Sequence, residues 1–131
     1  MIELDVAVVG GGFSGCALAA NLARSAPPGF SFALFEPEAL GRGAAYGTIH
    51  HEHLLNTRAH AMSLFSGEPD HFVRWLGPRG APSDFVSRRL YGEYVGEVAA
   101  RALRRSQITA KCRIVYRDRK YCGLRNEGAV Y

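Results

Sequence analysis

At 131 residues the chain is one domain, residues 1–131, with 47% hydrophobic and 21% charged residues, a globular composition that sets aside disorder. No window approaches the roughly 18 apolar residues that cross a bilayer, and Met1-Ile-Glu-Leu-Asp5 carries acids where a secretory leader carries Lys or Arg, so a cytoplasmic protein with no membrane partner is expected. The net charge of +4 gathers from Arg88 onward, where eleven basic residues face four acidic ones, but no aromatic residues interleave with them as base-stacking platforms do, so nucleic acid is not an expected partner.

Leu4 to Val9 is nearly continuous in apolar residues, broken only by Asp5, and predicts a parallel strand buried on both faces. Gly10-x-Gly12-x-x-Gly15 follows at once. In a dinucleotide-binding turn the first glycine permits the tight bend. The second removes a Cβ from the path of a pyrophosphate, and the third lets the following helix pack against the strand. Residues 13 to 24 predict that helix, with Cys16, Ala17, Ala19, Ala20 and Ala23 as its small residues. Phe13 and Ser14 form its first turn, where backbone N–H groups and the helix dipole face phosphates. Pro27-Pro28-Gly29 ends it.

Phe30 to Phe35 predicts a second strand, closed by Glu36, which lies 21 residues after Gly15. A carboxylate at that distance, at the tip of the second strand, is placed to hold a ribose diol. No Arg adjoins Glu36 in sequence to receive a 2′-phosphate, which favours FAD or NAD over NADP. The segment Gly41-Arg42-Gly43-Ala-Ala-Tyr46-Gly47 has no apolar strand before it, so it reads as a loop touching a ligand already held by the first turn.

His50, His51 and His53 resemble a metal cluster at first sight, but residues 50 and 51 point apart and the three offer no helical i, i+4 pair, so no metal is expected. Asp70 to Leu76 predicts a short helix with Trp75 as a core anchor. Arg88 to Arg105 predicts the longest helix, with Leu90, Tyr94, Val98 and Ala102 on one row and Tyr91, Val95, Ala99 and Leu103 on the next. Arg89 with Glu93, and Glu97 with Arg101, suit i, i+4 pairs. Gly92 and Gly96 on this helix predict close packing on the sheet. Cys112 to Tyr116 predicts a strand, and Tyr121–Leu124 with Ala129–Tyr131 predict a C-terminal β-hairpin around Asn126-Glu-Gly128. Cys16, Cys112 and Cys122 make an odd count without a C-x-x-C, which excludes a disulfide framework and a dithiol centre.

The expected fold is therefore α/β: a Rossmann-like dinucleotide-binding domain that starts βαβ with a parallel sheet and is incomplete, the front part of a longer enzyme. Together, Val9-Gly-Gly-Gly-Phe-Ser-Gly15, Phe35-Glu36-Pro37, Gly41-Arg-Gly-Ala-Ala-Tyr46-Gly47, Leu54-Leu-Asn56-x-Arg58, Asp70-His-Phe-x-x-Trp75-Leu and Arg89-x-Tyr91-Gly-Glu-Tyr94 resemble the N-terminal part of bacterial FAD-dependent, NAD(P)-binding oxidoreductases. Those proteins are similar in layout to flavin N-hydroxylases and related monooxygenases. The resemblance implies that Gly10, Gly12 and Gly15 hold the FAD pyrophosphate and Glu36 the adenosine ribose. It places Gly41, Arg42 and Gly43 near the pyrophosphate or the ribityl chain, and Asn56 and Arg58 toward the flavin. It further implies NAD(P)H as the reductant of the complete protein, with a small-molecule substrate that the sequence does not identify. No Ser-His-Asp or paired-carboxylate constellation is present to name as catalytic. The alternatives are an NAD-dependent dehydrogenase domain and a non-catalytic dinucleotide-binding fragment.

Overall fold

The computed structural model describes residues 4–106 and 111–115, with side chains as far as residue 104. The predicted C-terminal hairpin lies outside the described residues. Three parallel strands form one sheet in the order β1 (Val6–Val9), β2 (Ser31–Phe35), β3 (Lys111–Val115). Val6 pairs with Phe32 and Val9 with Phe35, while Ser31 pairs with Lys111 and Phe35 with Val115. Helix α1 (Phe13–Ser25) makes the first crossover. A long connection carries α2 (Gly43–Tyr46), a 3-10 turn at Ala59–Ala61, α3 (His71–Leu76) and a second 3-10 turn at Gly77–Arg79. Helix α4 (Arg88–Ser106) returns the chain to β3. This is the Rossmann-like α/β arrangement expected.

The predicted α1 and α4 end within one residue of the observed helices, because their limits are marked by strong local signals. Gly12 caps α1 in an extended conformation. At the far end Ala26 is extended, as a residue before proline must be, and its N–H still reaches the Leu22 carbonyl at 2.8 Å.

Helices α1 and α4 pack on each other and contribute adjoining faces to two apolar clusters. Toward the sheet, Ala19 and Leu103 meet Val8, Phe32 and Leu34. Away from it, Cys16, Ala20, Tyr91, Tyr94, Val95 and Ala99 pack with Leu55, Leu64, Phe65, Phe72 and Leu76 of the long connection. Both rows read on α4 enter this cluster, Leu90, Tyr94, Val98 and Ala102 with Tyr91, Val95 and Ala99, while Leu103 joins the one at the sheet. Trp75 serves the core as expected: it stacks on Phe72 at 6.2 Å between ring centroids, and its indole N–H donates to Glu97 Oε2 at 3.0 Å.

Two expectations are corrected. β1 is not buried on both faces: Val8 is buried, yet Val9 is 80% exposed. Among the described residues β1 is an edge strand, covered by helices on the Val6/Val8 face, whereas β2 between its two neighbours is buried from Ser31 to Leu34. The interrupting Asp5 has a structural use there. Its carboxylate accepts from the Ser31 N–H at 2.7 Å and the Ser31 hydroxyl at 2.8 Å, which holds its pKa below the ordinary carboxylate range and pins the start of the two strands together. The second correction concerns Gly92 and Gly96. They pack closely, but against the Leu40–Tyr46 segment and not against the sheet: a Cβ on Gly96 would lie 2.4 Å from the Leu40 carbonyl oxygen, and one on Gly92 would lie 3.0 Å from Tyr46 Cβ.

A titrating group is built into the second cluster. The Tyr94 hydroxyl accepts the Leu64 N–H at 3.2 Å and pairs with His71 Nδ1 at 2.8 Å. Burial lowers the His71 pKa below 6.5; Arg24 and Arg74 lower it further, while Glu68 and Asp70 oppose them. A histidine whose folded pKa is depressed takes up its proton more readily when unfolded, so its contribution to stability is present above about pH 6.5 and lost as pH falls through the folded value. Urea midpoints measured from pH 7.5 to 5 should fall, and His71→Gln should flatten that fall.

Candidate functional site

The turn between β1 and α1 is built from three glycines with three different requirements. Gly10 has φ +97°, a backbone conformation that other residues adopt only with strain. Gly15 leaves no room: a Cβ there would stand 1.7 Å from the Gly10 carbonyl oxygen. Gly12 has neither constraint. Its φ of −70° suits any residue, and a Cβ would meet only Gly43 Cα, at 3.5 Å, an ordinary contact. Beside it the first N–H groups of α1 are free of intrahelical partners, since the helical ladder opens with Cys16 N–H donating to Gly12 O at 3.0 Å.

Glu36 is held against this turn. One carboxylate oxygen accepts the Gly11 N–H at 2.5 Å and the other the Glu38 N–H at 2.9 Å. Gly11 must be glycine for that approach, because its Cβ would fall 2.8 Å from Glu36 Cγ and 2.8 Å from Leu40 Cδ2. Two oriented backbone donors fix the carboxylate while leaving lone pairs on both oxygens for further donors, such as vicinal hydroxyls.

The Gly41–Gly47 segment folds back over the turn. Gly41 N–H donates to Gly11 O at 2.7 Å, and Gly43 stands over Gly12. A cleft of about 650 Å³ opens here, lined among others by Glu36, Glu38, Arg42, Gly43, Ile49 and Arg89. The absence of an Arg beside Glu36 in sequence therefore does not hold in space: the fold brings Arg42 and Arg89 to the cleft that Glu36 lines. Arg89 carries no local signal of a site residue, since only tertiary folding brings the start of α4 to the cleft of residue 36.

Phe13, 39% exposed, packs its ring against Tyr46 and Tyr91, each at 6.2 Å, and so ties α1 to α2 and α4. Ser14 is exposed in the first turn of α1. Asn56 is exposed and Arg58 donates to the Ser83 carbonyl at 2.6 Å while lying over the Phe85 ring. Neither lines the cleft. Cys16, beneath the turn, points its thiol at the Gly11 carbonyl at 3.1 Å, and burial raises its pKa to about 11, so it stays protonated. Among the described residues no group of three or more His, Cys, Asp or Glu could hold a metal ion, and no helix is long and apolar enough to cross a membrane. His51 and His53 are instead tied to Arg89 and Thr48.

No curated protein matches the chain. Residues 7–128 match a protein family described as FAD-NAD(P)-binding, nearly the whole chain, and the protein belongs to that family of dinucleotide-binding, oxidoreductase-like domains.

Proposed function

We propose that the chain binds FAD and is the flavin-binding portion of an NAD(P)H-dependent, monooxygenase-like oxidoreductase. The observation that carries this is Gly12. The fold itself has no need of glycine there, in backbone or in packing, so the residue is accounted for by something that approaches it from outside. A pyrophosphate lying on the first turn of α1 is such a group. The unpaired N–H groups of the first turn of α1 and the pre-oriented Glu36 carboxylate together fit an adenosine diphosphate: phosphates over Gly10, Gly12 and the N–H groups of Phe13, Ser14 and Gly15, the ribose diol on Glu36, and Gly41, Arg42 and Gly43 along the other side.

FAD is preferred over NAD because the unit resembles the leading nucleotide site of flavoproteins that bind both. The Glu36 carboxylate, held by the Gly11 and Glu38 N–H groups, suits a free ribose diol. The assignment of Asn56 and Arg58 to the flavin end rests on their motif. When bound, FAD supplies the redox chemistry; the residues here bind and orient it.

Titration of the purified chain with FAD, followed by flavin fluorescence and run beside NAD⁺, tests the reading. FAD is expected to bind. Glu36→Ala should weaken it by about 1–3 kcal/mol, the loss of charge-assisted hydrogen bonds. Uptake of NAD⁺ but not FAD would favour a dehydrogenase domain, and unchanged FAD affinity in Glu36→Ala would remove Glu36 from the site.

A further inference from the structure

Arg89 is placed where a helix least favours it. It is the second residue of α4, in a first turn that carries no acidic residue, so its charge faces the positive end of the helix dipole. Its neighbour Arg88 is accounted for by the Leu54 carbonyl, to which its Nε donates at 3.2 Å. The contacts of Arg89 with Glu93 and His51 are looser. Its Nε lies 3.4 Å from Glu93 Oε1, and its Nη1 lies 3.3 Å from His51 Nε2, both at the long end of the polar range. The side chain is 39% exposed and lines the cleft with Glu36, Arg42 and Gly43. Gly43 is also the residue facing Gly12.

We infer that Arg89 is a phosphate-binding residue, which with Arg42 closes on the pyrophosphate of the dinucleotide from the side opposite the glycine turn. The inference rests on the proposed placement of the ligand and adds a residue to it. A guanidinium presents several N–H donors in one plane and can grip two phosphate oxygens while releasing long, solvent-screened partners. The cleft would otherwise hold the negative ligand beside two carboxylates. Arg42 and Arg89 offset Glu36 and Glu38, leaving the backbone donors of the turn to supply the net attraction. A cation in an unfavourable first turn is then explained by the ligand and not by the helix.

The test compares Arg89→Gln, Arg89→Lys and Glu93→Gln with the unaltered chain by FAD titration at low and high salt, with NAD⁺ and NADP⁺ in parallel. Arg89→Gln should lose about tenfold in FAD affinity and show a shallower salt dependence, with Arg89→Lys in between. Glu93→Gln should bind FAD as well as the parent or better, because it frees the guanidinium. If Arg89 only stabilises α4 through Glu93, both Gln variants will weaken FAD alike, and the inference falls. It falls too if Arg89→Gln binds FAD normally, or if it loses NADP⁺ alone, which would assign Arg89 to a 2′-phosphate. A parent chain that takes up no dinucleotide overturns both this inference and the reading beneath it.

Discussion

Gly12→Ala should fold normally and bind no dinucleotide, whereas Gly15→Ala should fail to fold. Both residues belong to one glycine fingerprint, yet the structure separates what each is for. The added methyl at position 12 finds Gly43 Cα at 3.5 Å and no backbone strain, so its cost to stability should stay within about 0.5 kcal/mol. The same methyl projects where the pyrophosphate is proposed to lie, and there it removes close contact between phosphate oxygens and the N–H groups of α1. At position 15 the methyl falls 1.7 Å from the Gly10 carbonyl oxygen, and that oxygen belongs to backbone whose Gly10 N–H is tied to Phe35 O at 2.9 Å. Relief requires moving α1 off β1, with a cost on the order of 3 kcal/mol or more, a large share of the stability of a domain this size. Thermal unfolding and FAD titration on the two variants read the distinction directly. Normal FAD binding by a folded Gly12→Ala protein would sink the proposed ligand position.

That division was only half legible in the sequence. The strand, the glycine turn, α1 and Glu36 are local: period, small residues and a fixed spacing specify them, and the structure has them where the pattern puts them. The stripe of α4 is legible for the same reason. What escaped is non-local. An apolar run cannot say whether both faces of its strand will be covered, so the run predicts a buried Val9 where the structure exposes it. Nothing in the spacing of Gly92 and Gly96 names their partner, which lies some fifty residues earlier at Leu40 to Tyr46. Arg89 reads as half of an i, i+4 pair with Glu93, and that pair exists. Its place in the cleft depends on how α4 crosses the Gly41–Gly47 segment, which no local pattern encodes. The ring contacts of Phe13 are of the same kind: residue 13 marks the start of a helix, but its aromatic partners come from positions 46 and 91.

The crossing of α4 with that segment is where the largest loss of stability outside the fingerprint is expected. Gly41→Ala faces two costs. Its φ of +79° is a left-handed conformation, worth about 1–2 kcal/mol against a residue with a Cβ. The methyl would also lie 2.3 Å from the Gly92 carbonyl oxygen and 2.4 Å from the Gly96 nitrogen. Gly96→Ala meets the same seam from the other side, 2.4 Å from the Leu40 carbonyl oxygen. In both cases the obstacle is backbone, which cannot rotate away as a side chain can, so each should cost on the order of 3 kcal/mol or more. Gly67→Ala, with nothing within 4 Å, is the control and should change stability by no more than about 0.5 kcal/mol. Urea unfolding of the three variants checks the order. The seam also governs the site, because Gly41 anchors the segment to the turn through its N–H to Gly11 O. Forcing α4 away from Gly41 therefore moves Arg42 and Gly43 on one side and Arg89 on the other. Any residual folded fraction of Gly96→Ala should bind FAD more weakly than the parent although the altered residue is not among those proposed to touch the ligand. If Gly96→Ala proves as stable as Gly67→Ala and binds FAD fully, α4 does not set the position of the Gly41–Gly47 segment, and the cleft must be held open by its own loop.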